Sequence, residues 1–337
     1  MKRRLWTIAV GLAALTGLVA VPAAMAAYTS AKLEVTQTAA GVVIKASLDP
    51  NDDPTARVAI SAPASTGLTT TQAPGTVLGP VRAIVKALDL AGADLPLEGQ
   101  LVVAAPGQVP AAAQTACIGS TAPTATWLMI LTAAGQTLTV PTYLVPGASG
   151  ASTITICLPP PDVPAGTPGR ATFGAKVYSA ELTINGVFSR TASGAWISTW
   201  VPYAPGVGSV NAAGVVASPA AIAPGAVTLA AKIAGKGAVL SGAVTQGGAP
   251  RSGATVTLFA GTRASSLKRV GRVRTTSTGR FTLRAKTGVF YRASVVAAAG
   301  ASPAVCTQLQ ASLGGIPCVN PSINGFTAQS RVVRKRK

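Results

Sequence analysis

Residues 238–297 read AVLSGAVTQGGAPRSGATVTLFAGTRASSLKRVGRVRTTSTGRFTLRAKTGVFYRASVVA, and this stretch decides the fold class. Apolar and Thr-rich runs at 238–245, 254–259, 269–275, 280–285 and 289–297 are separated by a Gly/Pro turn at 246–253 and by Gly279. Short β-branched runs punctuated in this way predict strands. The same pattern extends toward the N-terminus. Residues 32–38 and 42–48 flank Ala39-Ala40-Gly41, and 127–131 and 137–140 flank Ala133-Ala134-Gly135, each predicting a hairpin. Residues 175–184 and 196–201 flank Asn185-Gly186, a strong hairpin signal. Further strands are expected at 56–61, 101–104 and 152–158, whereas 81–90 fits helical and strand spacing equally. The expectation is an all-β chain of two or more β-sandwich (Ig-like) domains behind an N-terminal signal peptide.

That leader is read from Lys2, Arg3 and Arg4, the apolar run 5–21, Pro22 and Ala24-Met25-Ala26. A basic start, an apolar stretch and small residues before the cut predict cleavage after Ala26 and a secreted, extracellular or cell-envelope protein. The run is also long enough for an uncleaved anchor. Once the leader is cleaved, no membrane span is expected. The remaining chain divides into an N-terminal β region at 28–205, one domain or two, and a Pro/Gly/Ala-rich linker and domain entry at 206–235. A sandwich follows at 236–299, then a disulfide loop with a basic tail at 300–337.

The chain has no histidine. Ser-His-Asp and Cys-His catalysis, common zinc sites and imidazole switches are thereby excluded. With no nucleophile motif either, a non-catalytic protein without cofactors is expected. Cys117, Cys157, Cys306 and Cys318 allow three pairings, and 117–157 with 306–318 is favoured because each pair stays inside one expected domain.

Within 236–299, the strand before Gly247-Gly248, Pro250 with Gly253-Ala254-Thr255-Val256, and Thr276-x-x-Gly279-Arg280-Phe281 resemble the carboxypeptidase-regulatory or transthyretin-like module. The resemblance implies a seven-strand Ig-like sandwich acting as a non-catalytic accessory or adhesion module, with no catalytic residues to transfer. The acidic residue common in that family before the Gly-x-Phe motif is absent.

Charge divides the chain. From 28 to 181, seven basic residues meet all nine acidic ones, whereas after Glu181 eighteen Lys and Arg occur with no carboxylate. Such a field attracts polyanions and also keeps a protein soluble. If Val273 and Phe281 pair inward across a hairpin, Arg272, Arg274, Arg280 and Arg284 share the solvent face, with Arg274 opposite Arg280. With Arg292, Arg334, Lys335, Arg336 and Lys337 they form the candidate site for an anionic cell-wall or surface polymer. Specific nucleic-acid binding is not expected, since no nucleic-acid fold motif accompanies the charge. The alternative is a sugar-binding protein or glycosidase using two of Glu34, Asp89, Asp94, Glu98, Asp162 and Glu181 beside Trp127, Trp196, Trp200 or Tyr203. Asp49, Asp52 and Asp53 sit in a loop whose oxygens suit calcium or a simple turn.

Overall fold

The computed structural model describes residues 28–335 except 134, 148, 149, 192, 236 and 287. The expected leader, together with Arg336 and Lys337, lies outside the described residues. The first strands are β1 (Lys32–Gln37), β2 (Gly41–Ser47), β3 (Thr55–Ser61), β4 (Val77–Ala87), β5 (Ala93–Val103), β6 (Ala125–Ala133) and β7 (Gln136–Pro146). They continue with β8 (Ser152–Cys157), β9 (Ala175–Asn185), β10 (Gly194–Pro202) and β11 (Val216–Ile222), and helix α1 (Ala111–Ile118) lies between β5 and β6. These eleven strands follow the order β1-β2-β9-β4-β5-β6-β7-β8-β3-β10-β11, and the sheet curls until β1 lies against β11. The all-β expectation agrees with the structure. Within 28–205, however, the strands form one curled sheet instead of two facing ones.

Period-2 alternation explains the curl, because one face of every strand is apolar and all those faces meet in one core. Val42 and Ile44, Val81 and Val85, and Leu182 and Ile184 are buried there with Trp127 and Trp196. One cross-strand row is made of alanines: Ala46 on β2 faces Ala180 on β9, which faces Ala83 on β4. Their short side chains leave an apolar cavity of about 200 Å³ at this end of the barrel. Held empty, a cavity of that size forfeits on the order of 5 kcal/mol.

One pairing and one strand differ from the sequence reading. Asn185-Gly186 does not join a hairpin: β9 pairs with β2 and β4, while β10 pairs with β3 and β11. Gly186 does take a left-handed φ of 69°, but its N–H donates to Ala40 O, so the turn docks on the β1–β2 hairpin. Strand β11 falls inside the stretch read as linker. It is buried on both faces, which removes the alternation that marks a strand.

The chain continues through β12 (Gly225–Val227), β13 (Ala230–Ala234), β14 (Gly237–Gln246), β15 (Ala249–Pro250), β16 (Thr255–Arg263), β17 (Ser266–Arg274), β18 (Arg280–Ala285) and β19 (Phe290–Ala297). Strands β12, β13, β15 and β18 pair around β14, while β17-β16-β19 form a second sheet. Leu240, Val244 and Phe281 of the first sheet share one core with Val256, Leu258, Tyr291 and Val295 of the second. The chain then returns to the barrel as β20 (Gly300–Ala301), α2 (Ala304–Leu309) and β21 (Ser322–Ile323), with β21 parallel to β11. It leaves again as β22 (Phe326–Gln329) and β23 (Val333–Arg334), both paired with β19. Where these crossings meet, the buried Gln246 donates through Nε2 to Asn324 O at 2.8 Å, and Asn324 Oδ1 accepts from Ala223 N at 2.9 Å.

Cys117–Cys157 ties α1 to β8, and Cys306–Cys318 closes the loop holding α2. The barrel seam has side chains where a backbone ladder would run. Leu33 N–H donates to Ser218 Oγ at 3.1 Å, and Leu33 C=O accepts from Ser322 Oγ at 2.5 Å. Ser322→Ala should lower unfolding free energy by about 1–3 kcal/mol, because it strands a buried carbonyl, read as a lower denaturant midpoint at unchanged slope. Ser218→Ala should act similarly, and the double variant should lose less than the sum because both serines serve one residue. Replacing Cys117 and Cys157 together by serine should cost up to about 4 kcal/mol by loop entropy, measured by the same titration against the protein with both bridges intact.

Candidate anion-binding face

The second sheet of the C-terminal unit buries one face and presents the other. On β16, Val256, Leu258 and Ala260 point into the core, so Thr255, Thr257 and Phe259 point out. Register carries that parity to the neighbouring strands. Arg274 pairs with Thr255, and Arg272 with Thr257. Phe259 pairs with Arg269 on one side and Arg292 on the other, while Phe290 pairs with Arg334. Five arginines and two phenylalanines therefore share one outward face.

A β-bulge places the fifth arginine. The β16–β17 register shifts between Leu258, opposite Gly271, and Phe259, opposite Arg269, leaving Val270 as the extra residue. A bulge reverses which side chains face which way. Unbroken alternation from Arg272 would put Arg269 on the core side; the bulge turns it outward. Gly271 sits beside the bulge, where an added Cβ would come within 2.5 Å of Leu283 Cδ2 and move that methyl aside.

No salt bridge among the described residues involves a cation beyond Glu181. Arg292 stacks its guanidinium 5.6 Å from the Phe259 centroid, a cation–π contact. Its Nε is buried and meets no acceptor among the described residues. The surface thus offers several guanidinium groups without a carboxylate partner, spaced by the strands at roughly 5 Å across and 7 Å along, geometry suited to charge-assisted, forked hydrogen bonds with phosphate or carboxylate groups.

The remaining expected members divide. Val273 and Phe281 do not pair across a hairpin. Val273 lies opposite Val256 in one sheet and Phe281 opposite Gly242 in the other. Both can face the same core because the 276–279 turn carries the chain between sheets, closed by Gly279 N–H donating to Thr276 O at 2.9 Å. Gly279 has φ 70°, and a Cβ would meet Val244 O at 2.6 Å. Consequently Arg274 is not opposite Arg280. Arg280 and Arg284 project from β18 on the reverse face, with Arg284 beside Val239 and that residue beside Lys232. Lys335 continues past β23, its N–H donating to Val289 O.

The carboxylates occupy other settings. Outside the barrel, Glu34 faces Lys45, Lys45 faces Glu181, Glu181 faces Arg82 and Arg82 faces Glu98 in one alternating row. Asp89 accepts two hydrogen bonds from Arg170 at 2.6 and 2.7 Å, which holds its carboxyl below the usual range. Asp162 accepts from Gly206 N at 2.7 Å. Trp127, Trp196 and Trp200 are core residues, and Tyr203 donates its hydroxyl to Leu158 O. None of the four stands open beside paired acids. Asp52 accepts from Thr29 N and Oγ1 and from Ser30 Oγ, and Asp49 Oδ1 accepts from Asn51 N, so these oxygens shape the 49–53 turn. No protein-family model matches the chain, and no curated protein shows significant similarity to it.

Proposed function

We propose that this is an exported, non-catalytic binding protein whose C-terminal sheet face, Arg269, Arg272, Arg274, Arg292 and Arg334, holds an anionic polymer of the cell envelope. The observation that carries this reading is the convergence of five arginines on one face with no carboxylate to neutralise them. Mounted on paired strands, these side chains lose less freedom on binding than cations in a loop would. Export is supported by the basic, apolar N-terminal sequence and by the two disulfides, which persist in oxidising compartments. The barrel serves as a charge-balanced support.

Retention on polyphosphate resin should weaken steeply between low and high salt, as counterion screening requires. Arg272→Glu with Arg274→Glu should reduce low-salt affinity by at least about tenfold, since two attractive contacts become repulsive. Arg280→Glu with Arg284→Glu, on the reverse face, should change it far less. Equal loss from both pairs would reject a defined face in favour of net charge. Preference for single-stranded DNA over polyphosphate would instead assign the face to base stacking on Phe259 and Phe290.

A further inference from the structure

We infer that the barrel interior is a binding site for one aliphatic chain. This inference is independent of the arginine face. The alanine row Ala46–Ala180–Ala83 opens the cavity, and Met129, Leu131 and Trp200 wall it with flexible or flat apolar surface. Its volume of about 200 Å³ exceeds the ~150 Å³ at which an apolar protein cavity stays dry and admits benzene. Thr55 supplies one of its few hydroxyls, which already shares a hydrogen bond with Tyr28 OH at 3.1 Å. A polar guest would leave its own groups unpaired, whereas methylenes match the walls.

The entrance has matching chemistry. The 158–174 loop covers this end, contributing Leu158, Ala171 and Thr172 to the lining. Two tethers hold it: Arg170 on Asp89 and Tyr203 on Leu158 O. Beside Thr172, Phe173 adopts φ 56°, a left-handed conformation costly for a bulky residue. Phe173 is 44% exposed, alongside Leu88 and Leu90 at 37% and 47%. An exposed apolar rim at the mouth of an apolar cavity is where an alkyl chain leaving a membrane or micelle would first be held.

The test uses the full chain with both disulfides intact and 8-bromooctanoate, a chain short enough for the cavity, whose bromine quenches tryptophan on contact. Saturable quenching is expected, competed equally by octanoate and by methyl octanoate, since the chain and not the headgroup is recognised. Ala83→Leu and, separately, Ala180→Leu fill the cavity and should weaken binding by at least about tenfold while leaving the melting temperature equal or raised. Absence of saturable quenching in the unmodified protein overturns the inference whatever the variants do. Undiminished binding in a folded filled variant overturns it too. Competition by octanoate alone would move recognition to the carboxylate and reject a site for the chain itself.

Discussion

The seam at Leu33 is the constraint on which the remaining architecture depends. Eleven curled strands bring β1 beside β11, but their backbones do not complete a ladder there. Each polar group of Leu33 is instead met by a serine hydroxyl, one from β11 and one from β21. A buried peptide group without a partner is expensive, so closure needs residue 322, nearly 290 residues downstream. The C-terminal segment is thereby drawn back to the barrel after the two-sheet unit has been built. Asn320 adds to the join by donating to Ala31 O at 3.2 Å. Barrel and C-terminal unit are thus stitched by repeated crossings, and the fold has a high proportion of contacts distant in sequence.

The two halves treat charge in opposite ways, and the difference is visible strand by strand. On one side of the barrel, Glu34, Lys45, Glu181, Arg82 and Glu98 alternate sign across five strands, so each cation of that row has an acid beside it. Exposed pairs of this kind add little stability individually, yet they cancel the local field. On the C-terminal sheet, Arg274 and Arg272 face threonines, and Arg269 and Arg292 flank a phenylalanine. Threonine and phenylalanine separate the cations without neutralising them. The same strand chemistry therefore gives a nearly silent surface in one half and a strong positive field in the other.

Strand positions were legible where one face is wet and hidden where both are dry. The 32–48 hairpin, and the strands at 238–245 and 280–285, alternate clearly and fall where the pattern puts them. Strand β11 has no wet face, being buried on both sides while the returning C-terminal segment pairs along its edge, and its Ala/Pro content reads as linker. Pro219 is tolerated because it shares parity with Ala217, whose N–H points to Pro317 O and away from β10. Partners were less legible than positions. Asn185-Gly186 marks a turn, but a local motif cannot tell whether the following strand folds back beside its predecessor or crosses to another part of the sheet.

The same distinction governs the arginine face. Alternation correctly puts Arg272 and Arg274 outward, since it depends only on each strand's own parity. Grouping them with Arg280 and Arg284 requires a pairing, and a turn that passes from sheet to sheet leaves parity intact while exchanging the partner. Adding Arg269 requires knowledge of a one-residue bulge, whose sequence trace is no more than a glycine at 271 within a basic strand. Glycine in a strand interior signals a bulge or a close approach, and here it accompanies both: Leu283 from the opposite sheet lies where a side chain would project, and the extra residue, Val270, immediately precedes the glycine. Packing between the two sheets at Gly271 and the display of Arg269 to solvent are consequently linked. A side chain at 271 would have to move the Leu283 methyl aside, one residue from the bulge that turns this cation outward, so the core beneath and the binding face above meet at adjacent positions of one strand.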